Sequence, residues 1–254
     1  MFRIFPAGKL FGDNRWAYYH QSIGGYTPIK MYVIEELVEK NIYKGPDKNL
    51  PINWNVLKIL NVKYVVLQGR VQSPYLSLVN TNAAQNWLTY RFNGFLPRAF
   101  FVGEAKIVKN EFDRLKLINS ANFDPAKTAI IEEEIRAGME QPDSAWTRLT
   151  AFNPNLREFE VYTDKPALLV LSEVYYPPGW KIEIDGKPVK KIYKTDHAIQ
   201  SVVVPQGRHT VVMRFEPDSY YSNIRLAWVS VGIIYLIIGS VFFQMFRSGK
   251  PQAG

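Results

Sequence analysis

Between Ala227 and Phe246 the chain carries no charged residue, and the run AWVSVGIIYLIIGSVFFQMF is dominated by valine, isoleucine, leucine and phenylalanine. A helix rises about 1.5 Å per residue, so about 20 such residues cross a bilayer core of about 30 Å. Tyr220, Tyr221 and Trp228 flank one end of the stretch and Phe242, Phe243 and Phe246 the other, the arrangement of an interfacial aromatic belt. The stretch predicts a transmembrane helix. Only EPDSYYSNIRL separates it from Phe215, the end of a strand-like segment, so whatever folds before it folds against a membrane surface.

The preceding part is rich enough in apolar residues to do so: the chain is 47% hydrophobic and 21% charged over 254 residues. It contains no cysteine, which removes disulfides, thiolate metal sites and cysteine nucleophiles together. The net charge of +8 raises the question of nucleic acid, yet Lys181, Lys187, Lys190, Lys191 and Lys194 alternate with Glu183, Asp185 and Asp196. That is the pattern of solvated strand faces, no nucleic-acid motif accompanies it, and no nucleic-acid partner is expected. A basic domain held beside a bilayer is expected instead to attract anionic lipid or an anionic envelope polymer.

The N-terminal MFRIFPAGKLFGDNRW lacks the apolar core of a signal peptide. Two explanations stand: a tail-anchored cytoplasmic protein, or the end of a longer membrane protein. Arg214 and Arg225 before the span and Arg247 and Lys250 after it leave its orientation open.

Taken in order, Arg3–Phe5 reads as a short strand, followed by loops containing Asp13, Asn14 and Arg15. Thr27 and Pro28 form an N-cap and first helical residue for an amphipathic helix ending near Asn41. Asn53–Leu60 reads as a helix, Val62–Leu67 as a central strand apolar on both faces, and Tyr75–Val79, Trp87–Phe92, Ala99–Val108 and Thr128–Glu132 as further strands. Glu111–Ser120 is a helix between the last two. From Gln141 short strands follow closely: Trp146–Phe152, Arg157–Thr163, Ala167–Val174, Trp180–Ile184, Val189–Tyr193, Ala198–Val204 and Thr210–Phe215. Asp185-Gly186 and Gln206-Gly207 supply hairpin turns. The expected class is α+β: a mixed α/β domain over residues 1–140, an antiparallel β-sandwich over 141–222, one transmembrane helix over 223–246 and a tail over 247–254.

Three pieces, SEVYYPPGWKIEIDGKPV at 172–189, PQGRHTVVMRFEP at 205–217 before a span, and the pair SIGGYTPIK and LKILNVKYVV at 22–30 and 57–66, together resemble the C-terminal region of bacterial YfhO-like membrane proteins. The resemblance covers nearly the whole chain in the same order. Members of that family look like multi-span glycosyltransferases of the GT-C type, which use polyprenyl-phosphate sugars to modify envelope polymers or lipids. It implies an extracytoplasmic head on the cytoplasmic membrane, a cytoplasmic tail, and as partners the bilayer, the other transmembrane helices of a longer protein and an envelope glycan. The sugar donor belongs to the family as a whole, and no cofactor is expected in this chain. The catalytic carboxylate of such enzymes sits in an early loop matched by no residue here, so no catalytic residue is carried over.

For substrate binding the sequence offers Glu173 beside Tyr175, Tyr176 and Trp180. A carboxylate among exposed aromatics holds a sugar by accepting from its hydroxyls while the rings cover its C–H face. The structural alternative is a paired strand-end glutamate with the rings in a core. Asp13 and Arg15, near His20, form a second candidate, or else a local ion pair. Gly24 and Gly25 before a helix offer a phosphate cradle or a tight turn. His20, His197 and His209 stand at no metal-ligand spacing, Glu132–Glu134 reads as a solvated acidic run, and no metal site is expected. A membrane-anchored glycan-binding module and a tail-anchored structural protein are the alternative functions.

Overall fold

The computed structural model describes residues 1–8, 10, 12–26, 28, 30–135 and 138–248, with side chains to residue 245. Among the described residues, fifteen strands form three sheets. The first has the order β1-β2-β4-β3, from Arg3–Pro6 (β1), Val62–Gln68 (β2), Leu76–Asn82 (β3) and Trp87–Phe92 (β4). The second runs β5-β10-β14-β13-β7-β6, from Ala99–Val102 (β5), Glu104–Ile107 (β6), Thr128–Ile131 (β7), Ala167–Val174 (β10), Tyr193–Thr195 (β13) and Ile199–Val204 (β14). The third runs β12-β11-β15-β9-β8, from Ala145–Asn153 (β8), Leu156–Thr163 (β9), Trp180–Ile184 (β11), Lys187–Pro188 (β12) and Gly207–Phe215 (β15). Pairing is antiparallel except for β1 with β2 and β6 with β7. The helices are α1 (Arg15–Tyr19), α2 (Tyr32–Ile34, continued by a π-helical turn over Glu35–Glu39), α3 (Trp54–Ile59), α4 (Glu111–Ile118) and α5 (Asp218–Ser248).

The second sheet is the shared layer. On β10, Leu168 and Val170 join a core with Phe5, Val65, Phe92 and Ile130, while Leu169 and Leu171 join another with Phe159, Val161, Ile182, Val211 and Met213 of the third sheet. Both faces of ALLVLSE are therefore buried, which is why the run reads as uninterrupted hydrophobic sequence rather than alternation. Strands β9 and β15 do alternate, because only one face of the third sheet is covered.

Most predicted elements form near their expected places. Asn53 caps α3 through its side chain, and Asn110 caps α4. Asp185 and Gly186, both at positive φ (52° and 74°), make the hairpin turn between β11 and β12. Other expectations change. Helix α2 starts at Tyr32 rather than at Thr27, which lies outside the described residues. The expected strand Ala99–Val108 breaks at Gly103 into β5 and β6, which form opposite edges of one sheet. Strands from both sides of residue 140 share the second sheet, so the division placed there does not follow a sheet boundary.

Helix α5 leaves the head directly from β15. From Asp218 to Met245 it is long and apolar enough to cross a membrane, and none of its most apolar window is buried. At its start Lys181 Nζ lies 2.9 Å from Oδ1 of Asp218, and just before it the Glu216 N–H donates to the Gly179 carbonyl at 2.7 Å.

Candidate functional site

Glu173, the residue the sequence placed among sugar-binding aromatics, lies in the interior, 6% exposed. The register of β10 against β14 shifts between Leu171 and Val174, and Glu173 there meets arginines from three other segments. Arg98 Nε and Arg157 Nε each donate to Oε1 at 2.8 Å, and Arg3 Nη2 to Oε2 at 3.3 Å. Of the two readings of Glu173, the structure has the paired glutamate, with arginines rather than a lysine or backbone N–H groups as its partners. The reason is that β10 is covered on both faces as far as Glu173.

The arginines are held as firmly as the acid. Arg3 Nη1 donates to the Leu60 carbonyl (3.1 Å), the Ser172 carbonyl (2.9 Å) and Ser172 Oγ (3.0 Å), while Ser172 Oγ donates to the Ile59 carbonyl at 2.7 Å. Arg98 Nη1 donates to Gln21 Oε1 at 2.9 Å and to Asn61 Oδ1 at 3.3 Å. Arg157 donates to the Asn153 and Leu156 carbonyls, and its guanidinium lies 4.2 Å above the Phe152 ring and 5.4 Å from that of Trp180. One residue from each sheet, Arg3, Glu173 and Arg157, thus meets at one point. Burial pushes the Glu173 carboxyl up, but the fields of Arg3, Arg98 and Arg157 with the Arg157 hydrogen bond outweigh it and hold it below the ordinary carboxylate range. Burial, then Arg98, push Arg3 down to about 9 against the pull of Glu173. A carboxylate kept ionised in this way is a structural anchor and a poor proton donor.

The aromatics divide. Trp180 is buried, edge-on to Phe215 at 5.1 Å, whereas Tyr176 stacks on Phe215 at 6.1 Å and remains 38% exposed. Tyr175 is half-buried, its N–H donating to the Ala198 carbonyl at 2.8 Å and its phenol pushed up by burial. Together Tyr176, Trp180 and Phe215 form the collar from which α5 departs. Asp13 and Arg15 pair with each other at 2.6 Å at the start of α1, the local ion pair that their spacing allows. A cavity of about 160 Å³ opens beside Arg3, Ile34, Val38 and Ser172.

The basic stretch is solvated and largely paired: Lys191 with Glu133 (2.8 Å), Lys194 with Glu132 (2.9 Å), Lys181 with Asp218. His209 Nδ1 lies 2.6 Å from Asp185 Oδ2 at the hairpin turn.

A second cluster comes from positions far apart in sequence. Glu36 stands in the π-helical turn, closed by Lys40 N–H to the Glu35 carbonyl at 3.0 Å; Glu111 is the first residue of α4; and His197 is at the tip of the β13–β14 hairpin. One donor atom from each lies within 4.8 Å of the others, and His197 Nε2 is 3.2 Å from Glu36 Oε2. His197 is 1% exposed, yet neither ring nitrogen makes a well-aligned hydrogen bond among the described residues. Its φ is +72° and that of Asp196 +46°, a left-handed tip pinned by Asp196 Oδ1 accepting from Ile130 N–H at 2.8 Å. Aspartate and histidine are among the non-glycine residues that adopt this conformation most often. Burial and Lys194 push the imidazole down to about 4, so it is neutral near pH 7. Tyr32, hydrogen-bonded to Glu36, is pushed up to about 12.

Sequence reading missed both groupings because their members are separated by dozens of residues. The one available signal was the presence of charges inside otherwise apolar strands, as at Arg3 and Glu173. No family model, curated protein or solved structure matches the chain.

Proposed function

We propose that this chain is a membrane-anchored, extracytoplasmic head of a YfhO-like glycosyltransferase system, non-catalytic by itself, which positions an acceptor or braces the membrane-embedded part. The observation that carries the reading is the direct, bonded exit of α5 from the head. An apolar helix with no buried window follows β15 with only Glu216 and Pro217 between them, and contacts from Asp218 to Lys181 and from Glu216 to Gly179 join its start to the head. Exposed Tyr220, Tyr221 and Trp228 at its start suit the headgroup region. Tyr18, Tyr19, Tyr26 and Tyr32 are exposed along the N-terminal segments and offer a surface for headgroups or for neighbouring spans.

The glycan-binding alternative is weakened at Glu173, which is committed to arginines, and of the aromatics beside it Tyr176 is exposed while Trp180 is buried. Because the chain has no cysteine, single cysteines placed at exposed Tyr18 or Leu78 report sidedness without background. Labelling of intact cells by an impermeant maleimide is expected at both positions. Labelling only after permeabilisation overturns the extracytoplasmic assignment. In the same cells, deletion of the chain is expected to change the sugar content of envelope polymers or lipids, and an unchanged glycan profile overturns the link to glycosylation.

A further inference from the structure

We propose that Glu36, Glu111 and His197 bind a zinc ion that staples the α2 turn and α4 to the β13–β14 hairpin. The three donors come from three separate elements and converge within 4.8 Å. Zinc bonds to imidazole nitrogen and carboxylate oxygen are about 2.0–2.2 Å, which places neighbouring ligand atoms of a tetrahedral ion roughly 3.2–3.6 Å apart. The 3.2 Å separation of His197 Nε2 and Glu36 Oε2 already has that spacing.

The independent observation is the buried imidazole. A histidine 1% exposed has only the 3.2 Å contact of Nε2 with Glu36 and no well-aligned hydrogen bond at either nitrogen among the described residues. Coordination satisfies one nitrogen. The π-helical turn that carries Glu36 is itself a feature found often at functional sites. The nearby cations make their closest ion pairs with other acids, Arg114 and Lys194 with Glu132 at 3.0 and 2.9 Å and Lys40 with Glu35 at 3.5 Å, while their fields still reach the three ligands. A mixed imidazole–carboxylate set favours a transition metal over calcium or magnesium, which take oxygen ligands. Three protein ligands leave a fourth position for water.

The test uses the full chain in detergent, purified without a polyhistidine tag and stripped with chelator. Titration with Zn²⁺ followed by dialysis and elemental analysis is expected to leave close to one ion per chain. At Zn²⁺ about a hundredfold above Kd, Tm should rise by about 5–10 °C. Co²⁺ should give visible absorption of a low-coordinate ion. Glu111→Gln, at a solvent-accessible position, and His197→Gln should each weaken binding more than about tenfold and abolish the cobalt spectrum. If His197→Gln fails to fold, Glu111→Gln and the cobalt spectrum decide alone. Retention of less than a fifth of an ion by the wild type, or equal zinc in Glu111→Gln and wild type, overturns the proposal.

Discussion

Replacing Glu173 with glutamine should be among the most damaging single changes in the head. The substitution keeps the shape of the side chain but leaves Arg3, Arg98 and Arg157 buried around a neutral amide. Each contact is worth about 4 kcal/mol at an effective dielectric near 20. Desolvation and repulsion among the guanidinium groups cancel most of that sum, and removal of one partner from such a group typically costs about 3–5 kcal/mol. At about 2–4 °C per kcal/mol for a head of this size, Tm should fall by about 6–20 °C. Tryptophan fluorescence reports it conveniently, because Trp180 lies beside Arg157. The pH dependence supplies the sign. Glu173 binds its proton less readily in the folded than in the unfolded chain, so its contribution is complete above the ordinary value of 4.5 and is lost as pH falls through the depressed folded value. The stability gap between wild type and Glu173→Gln should therefore be full at pH 7 and narrow on acidification below about 4.5. A cycle with Arg98→Met should be non-additive by about 0.5–3 kcal/mol. Equal stability of wild type and Glu173→Gln at pH 7, or a gap that does not narrow in acid, refutes the account of this junction.

Gly179→Ala should destabilise by about 1–3 kcal/mol, because an added Cβ would overlap the Phe215 ring and crowd Tyr176; chemical denaturation measures the loss, and limited proteolysis around Glu216 should report a loosened collar. Gly186→Val forces a β-branched residue to φ +74° and should cost about 1–2 kcal/mol by the same denaturation assay. Lysines at both Ile234 and Ile238 add roughly 3 kcal/mol each to insertion of α5 and should move the chain from the carbonate-resistant membrane pellet toward the extractable fraction.

What the sequence revealed depended on how locally each feature is encoded. The uncharged run of α5, the turn at Asp185-Gly186 and the doubly apolar β10 are stated within a few residues, and all three stand in the structure. The segment Val189–Tyr193 is different. Its alternation suggested a strand, but pairing across from β11 stops at Pro188, and the chain then crosses to the second sheet, where only Tyr193–Thr195 pairs. Periodicity carries no information about which sheet a strand joins. Glu173 shows the same limit for a site. Its neighbours Tyr175, Tyr176 and Trp180 are visible in sequence, while Arg3 and Arg98 reach it from 170 and 75 residues away.

The arginine junction and the collar at α5 are mechanically one device. Arg157 touches Glu173 on one side and lies over Trp180 on the other; Trp180 meets Phe215 edge-on; and the Glu216 N–H bonds to Gly179. A chain of contacts thus runs from the meeting point of three sheets to the first turn of the apolar helix. Three arginines around one carboxylate are a costly way to stabilise a core, since well-packed hydrophobic residues often serve as well. They do fix orientation, because each guanidinium makes further hydrogen bonds, Arg3 to Leu60 and Ser172, Arg98 to Gln21 and Asn61, and Arg157 to Asn153 and Leu156. That is the property the head would use if α5, which is long and apolar enough to cross a membrane, sets its attitude to one. Orientation and stability are therefore expected to separate: an apolar replacement of the whole group that restores Tm should still leave the junction between β15 and α5 more open to protease than in the wild type.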